Sequence, residues 1–402
     1  MMGRMPSRER MLQAISGGSA QTPCSFMIFR ALRAQCRDEL DFAERQTDLG
    51  LDARVQLDDL PVHVTQQTRI TEWVESAAAG EPVLCRAYET PAGTLTARAK
   101  KTEDWPYGSS IPIFDDFFPP RAVQYPVASE QHLEVLRQIL ADPSAEEIAA
   151  FRAQAAERTR FARAHGLLLS GGWKSQRFVP GEDKHLVGDN GGTGAVIDVL
   201  MWLCGGTQPL LWAHDQPEFL RELITTIERW NRRRLEIHLE VGVDLVVRRA
   251  WYEGTEFWSP GLFRQCILPG LKQDATMAHQ AGAVFGYIVT SGILPIAAEL
   301  IESGVDAIIG VDPGEGKGTT LAGVRDALGG KVGLWGGVSG PFVVENGTED
   351  DVRAAVREAL DTLAGTGRFI LSPVDNVRAD TPQAWRSVKV LIQTWREGTS
   401  EV

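Results

Sequence analysis

The stretch that decides the fold is Val241–Pro313. It contains GVDLVVRRAWYEGTEFWSPGLFRQCILPGLK (Gly242–Lys272), AGAVFGYIVTSG (Ala281–Gly292) and LIESGVDAIIGVDP (Leu300–Pro313). Gly242-Val243-Asp244 leads into the apolar run Leu245–Val247. A short run with no polar alternation reads as a strand buried on both faces. Gly304-Val305-Asp306 repeats the pattern, with a strand at Ala307–Val311 that ends on Asp312. Polar and aromatic residues crowd the end of the first strand: Arg248, Arg249, Trp251, Tyr252, Glu253, Glu256 and Trp258. In a βα-barrel the chemistry sits just past the C-terminal ends of the strands.

Working outward, strands alternate with helices across the C-terminal half. A strand at Leu167–Ser170 ends in Gly171-Gly172-Trp173, and another spans Phe369–Ser372. Helices are expected at Ser7–Ile15 with Ser7 as N-cap, at Ser144–Ala164, at Gly191–Cys204, at Pro217–Val241 and at Thr348–Gly365. Ser144 and Glu147 have capping-box spacing. This rhythm predicts an α/β chain, a (β/α)8 TIM barrel formed as one domain over residues 1–402. The Thr-, Val- and Pro-rich stretch 50–130, with TRITEWVES and LTARAK, reads as a β-rich antiparallel insertion.

At 402 residues the chain is long enough for one large barrel. Its net charge of −12 carries no basic tract, which excludes a nucleic-acid partner. The five cysteines are scattered without a CxxC, as in reduced cytoplasmic thiols. The N-terminus lacks an apolar signal core, and no run of about 18 apolar residues exists to span a membrane. A cytoplasmic protein is the expectation.

Several motifs, taken in order, resemble the uroporphyrinogen decarboxylase superfamily. They are Arg8-Glu9-Arg10 with Pro23, then Ser259-Pro260-x-x-Phe263, Pro269-x-x-Lys272 and Gly304-Val305-Asp306. Trp335-Gly336-Gly337-Val338 and Ile370–Pro373 through Asp380-Thr381-Pro382 complete the set. The resemblance covers most of the chain outside about Asp38 to Asp215. It implies the barrel of that superfamily, which includes the decarboxylase of haem synthesis and the corrinoid-linked methyltransferases.

The thiol-activating methyltransferases of the superfamily carry a His-x-Cys-Gly strand end and a later Cys that hold zinc. Here Val289-Thr290-Ser291-Gly292 and Asp375 stand in those places, or Tyr287 stands at the His position in a shifted alignment. Soft ligands are lost, and His63, His132, His165, His185, His214, His238 and His279 lie at no ligand spacing. The expectation is therefore no metal site and no tightly bound cofactor. A corrinoid or tetrahydrofolate-type carrier remains as a co-substrate.

The candidate site residues follow from chemistry. Arg30, Arg33 and Arg37 share a face if helical, and Arg33 with Arg37 keeps the Arg-x-x-x-Arg spacing of the family's carboxylate clamp. A solvated helix face is the other reading. One of Arg248 and Arg249 is expected to enter the barrel mouth, as a substrate contact or as half of a structural pair with Glu253. Trp173, Trp251, Tyr252, Tyr287 and Trp335 either wall a pocket for a flat ligand or pack the core. Glu253, Asp312 and Asp375 are candidate acids or bases, although Asp375 also suits an Asx turn. Gly314–Thr320 reads as a helix cap and not as a phosphate loop. Arg248, Trp251, Glu253, Tyr287, Asp312 and Asp375 are expected to converge on one cavity.

Taken together, these residues suggest methyl transfer or demethylation of a small-molecule substrate, with a corrinoid protein as a partner. The alternatives are decarboxylation of a tetrapyrrole or smaller acid, and a non-catalytic ligand-binding barrel. A homodimer is compatible with the chain.

Overall fold

Seven short strands, six of them mostly apolar, line up side by side in one parallel sheet in the computed structural model. The structure describes residues 5–62, 64–76, 80–172, 195–314, 319–328, 330–375 and 377–400. The strands are β1 (Arg54–Gln56), β2 (Arg69–Glu75), β3 (Val83–Thr90), β4 (Gly93–Lys100), β5 (Ala122–Gln124), β6 (Leu168–Gly172), β7 (Leu245–Arg249), β8 (Val284–Ile288), β9 (Ala307–Val311), β10 (Gly333–Ser339) and β11 (Phe369–Val374). The parallel sheet runs β1-β6-β7-β8-β9-β10-β11. All residues of β7, β9, β10 and β11 are buried, which is why these runs show no alternation.

The sheet curls. Its two outer strands approach the same segment, Pro23–Ser25. Ser25 N–H donates to Leu371 O at 3.0 Å, and Asp52 N–H donates to Cys24 O at 2.7 Å. Among the described residues the parallel sheet thus has seven strands and an isolated bridge at Cys24, where eight strands were expected.

Side chains on the strands divide between two cores. Leu168, Leu245, Val247, Ile288, Ile309, Trp335 and Ile370 meet inside the curl, together with Met11 and Ile15 of the helix Ser7–Ser16. Val246, Phe285, Ile308, Leu334 and Leu371 face outward into the helical layer. This parity later decides the site. Fully burying one such aliphatic side chain is worth about 1.5–3 kcal/mol.

Several expected helix ends are seen. Ser144 and Glu147 form a reciprocal capping box on Ala145–Ala164, and Thr348 with Asp351 forms one on Glu349–Leu363. Ser7 is a correction. The N-cap is Pro6, because the Ser7 hydroxyl is drawn 3.0 Å away to Asp52 Oδ1. The helix expected from Gly191 is described from Val196 to Cys204; residues 191–194 lie outside the described residues.

Between β1 and β6 lies a four-stranded antiparallel sheet, β2-β3-β4-β5. It has its own small core of Leu84, Ala97, Ala99, Trp105, Ile111 and Phe118. All five cysteines are free thiols. Among the described residues no single helix is long and apolar enough to cross a membrane.

Candidate functional site

A cavity of about 50 Å³ opens at the C-terminal ends of β1, β7 and β8. Its floor is apolar: Phe26, Met27, Phe29, Val247 and Ile288. Its polar wall comes from Arg33, Glu39, Arg54, Gln56, Arg249 and Trp251. Strands β1 and β7 therefore each project one arginine to the same end of the sheet, where a barrel-type fold places ligands.

Arg54 lies flat over the Trp335 ring, 5.5 Å from its centroid. Its Nη2 donates to Met27 O at 2.9 Å, and its Nη1 is buried with no hydrogen-bond partner among the described residues. Burial pulls its pKa down to about 10, partly offset by Glu39 and reinforced by Arg33. The guanidinium remains charged at neutral pH. A buried donor on a cation costs free energy unless something accepts from it. Arg33 is held against Glu39 at 3.0 Å, and Glu39 in turn accepts from the Gln56 N–H.

Arg249 is the second cation of the wall. It sits between Trp202 and Trp251, 5.4 Å from each ring centroid. Its Nη2 pairs with Asp116, and its Nε is 3.6 Å from Asp198. Asp198 is fully buried, and desolvation pushes its pKa up to about 8 against the pull of Arg249. The Trp251 indole N–H is likewise buried without a partner among the described residues. Two idle donors, one of them cationic, thus line one small cavity.

Of the residues expected from sequence, Arg33 and Trp251 line this cavity, and Trp335 lies beneath it under Arg54. Arg248, Glu253 and Tyr287 do not. Neighbouring residues of a strand point to opposite faces. With Val247 and Arg249 inside, Arg248 faces the helices. It donates to Glu253 Oε1 at 2.7 Å and Asp274 Oδ2 at 2.6 Å, and Tyr287 donates to Glu253 Oε2 at 2.6 Å. This four-residue network is wholly buried behind the sheet. The expected convergence on one cavity is corrected accordingly.

Arg37 is a second correction. The helix covers only Arg30–Arg33, so Arg37 leaves the shared face. Its side chain is 80% exposed and pairs with Asp41. Tyr252 donates to Asp116 Oδ1 at 3.3 Å, at the margin of the site. Trp173 lies outside the described residues.

Asp312 and Asp375 directly follow β9 and β11, two strands that contribute nothing to the cavity lining. Asp312 Oδ1 accepts from Gly314 N–H at 2.7 Å, which starts the turn after β9; residues 315–318 of the following loop lie outside the described residues. Asp375 has φ 62°, a left-handed conformation that Asp tolerates better than most residues. It pairs with Arg378 at 2.5 Å, and burial raises its pKa. Neither lines the cavity.

The residues missed were Arg54, Asp116 and Asp198. Two carried a signal. Arg54 is the one cation in LDARVQL (Leu51–Leu57), and Asp198 is the one charge in AVIDVLMWLC (Ala195–Cys204). A charge set among buried apolar residues must find a partner or a function. Asp116 carried none, since Asp115-Asp116 reads as an ordinary loop.

The Val289-Thr290-Ser291 segment follows β8 as expected, and among the described residues no three His, Cys, Asp or Glu side chains cluster so as to hold a metal.

The family model described as "Uroporphyrinogen decarboxylase (URO-D)" matches residues 187–397. No curated protein matches the chain. Among solved structures, a methyltransferase from Methanosarcina mazei is similar at 16% identity, over 98% of this chain and 99% of that one, with TM-score 0.57. A B12-independent methionine synthase from Shewanella sp. W3-18-1 is similar at 8% identity, over 95% and 98%, with TM-score 0.47.

Proposed function

The chain belongs to the uroporphyrinogen decarboxylase family, and on that premise we propose that it is an enzyme removing or transferring a methyl group from a small anionic substrate. The observation that carries this reading is the buried Nη1 of Arg54, unpartnered among the described residues, beside Arg249 and the Trp251 N–H. A carboxylate accepts from all such donors, and guanidinium binds it in a planar fork. The apolar floor would take the methylated part of the molecule. We read Pro23–Ser25 as the eighth stave that closes the sheet into a barrel.

The family and the fold shared with a methyltransferase favour methyl transfer. A cavity of about 50 Å³ has no room for a corrin or tetrapyrrole ring. No step is therefore routed through a corrin here. The methyl acceptor is assigned to a separate carrier, a corrinoid protein or a tetrahydrofolate-type molecule. What this chain supplies is position: Arg54 and Arg249 hold the anion, and the walls exclude water. Decarboxylation of a small acid is the second reading, favoured by the same arginines.

One assay separates the two. Purified protein is given small methylated carboxylic acids with free cobalamin in its reduced form, or with tetrahydrofolate. Methylation of the acceptor supports the first reading, and carbon dioxide release supports the second. Neither product from any acid would sink both.

Arg54→Met is expected to weaken carboxylate binding by about 2–5 kcal/mol in calorimetry with benzoate as probe. Unchanged affinity would remove Arg54 from the site. Zinc is expected at far below one atom per chain by elemental analysis, since Val289, Ser291 and Asp375 replace the softer ligands that the family resemblance implies. A full equivalent that survives mild chelation would overturn that.

A further inference from the structure

Resting on the assignment of this cavity as the substrate site, we propose that Asp116 is a specificity-determining residue. Its carboxylate, delivered by the insertion, fills the subsite at Arg249 meant for an anionic group of the substrate, and gives that subsite up when ligand binds.

Three donors from three parts of the chain converge on this one carboxylate. They are Arg249 Nη2 from β7, Trp202 Nε1 at 2.9 Å from the helix Val196–Cys204, and the Tyr252 hydroxyl at 3.3 Å from the turn after β7. A cation and two neutral donors around one pair of oxygens form a complete carboxylate receptor. The receptor is buried: Arg249 and Trp202 are nearly inaccessible. The group it holds is not, for the Asp116 side chain is 44% exposed.

The receptor shares its arginine with the cavity. Arg249 and Trp251 both line it, so an anion entering beside Arg54 reaches the same guanidinium that holds Asp116. The insertion does not need Asp116 for its own fold. Its turn is fixed by Asp115, whose Oδ1 accepts from Phe117 N–H at 2.8 Å and whose carbonyl accepts from Phe118 N–H at 3.2 Å. Phe118 then anchors in the core of the insertion. Asp116 can therefore swing out of the receptor while the turn stays in place.

An internal carboxylate competes at an effective concentration in the millimolar range. Small anions bind the native chain weakly for that reason. Only a substrate whose other contacts add to the anion's own displaces Asp116. This makes the insertion a filter against free small acids.

The test is calorimetry with benzoate, malonate and inorganic phosphate on the full chain, with melting temperatures measured in parallel. Asp116→Ala and Asp116→Asn are expected to bind benzoate about tenfold tighter than the native chain, because the competitor is gone. Arg249→Met in either background is expected to abolish that gain. If affinity stays level or falls in both variants while melting temperature drops, Asp116 is only a clamp for the insertion, and the proposal fails. Arg54→Met tells the two failures apart. Benzoate binding that ignores Arg54→Met overturns the cavity assignment and this proposal with it. Binding that needs Arg54 but is unmoved by Asp116→Ala overturns this proposal alone.

Discussion

Arg248→Met is expected to destabilise the protein by about 3–5 kcal/mol while leaving anion affinity at the cavity nearly unchanged. The cause lies behind the sheet. Arg248 joins Glu253 at 2.7 Å and Asp274 at 2.6 Å with all three side chains almost wholly buried. Burial opposes the charge on Arg248, but Glu253 and Asp274 more than offset it and its pKa is raised. Methionine fills the volume and strands two carboxylates. Asp274 keeps Arg232 at 3.2 Å, so Glu253 is the group left most exposed to the loss.

Glu253→Gln in the Arg248→Met background is therefore expected to recover much of the stability. Glutamine still accepts from the Tyr287 hydroxyl and carries no charge. The double-mutant cycle, measured by chemical denaturation, gives the coupling. Independent, additive losses would refute a structural pair. A large fall in benzoate affinity with Arg248→Met would return Arg248 to the site.

The sequence named the right pair of arginines but not which of them turns inward, and the reason is physical. A strand with polar alternation announces its inward face. Leu245–Val247 is apolar on both faces because β7 is covered on both sides. Parity could then be read only from what each residue packs against. The parallel sheet and the antiparallel insertion were legible because apolar runs, glycine stops and capping boxes are local signals. The site was legible only where one local signal sufficed, at Trp251 and Arg33. Asp116 and Asp198 meet Arg249 across 133 and 51 residues, and Arg54 shares its cavity with Arg249 across 195, and no local pattern encodes those meetings. Arg37 failed for a different reason. Its spacing from Arg33 means a shared face only in a helix, and the helix stops at Arg33.

Asp198→Asn is expected to remove a steep pH dependence of stability. Asp198 is fully buried, and desolvation sets its pKa at about 8. Arg249 and Arg248 pull that value down, whereas Asp116 and Glu253 push it up. In the unfolded chain the same group titrates near the ordinary aspartate value of about 3.9. Its folded pKa is the higher one, so the unfolded state releases the proton first. The stability this carboxyl lends is complete below about pH 4 and is lost as pH rises through about 8. At about 1.4 kcal/mol per pKa unit, the loss is on the order of 5–6 kcal/mol. Asparagine has no proton to lose. Chemical denaturation of both forms from about pH 4 to pH 9 should show the native chain falling relative to Asp198→Asn, with the curves parallel again above about pH 9. The same ionisation neutralises Arg249, 3.6 Å away, from behind. Benzoate affinity of the native chain should then fall above about pH 8 and that of Asp198→Asn should not. Stability curves that run parallel over the whole range would mean that Asp198 is already ionised at neutral pH. In that case Arg249 would be shared between two carboxylates and would have little charge left for a substrate.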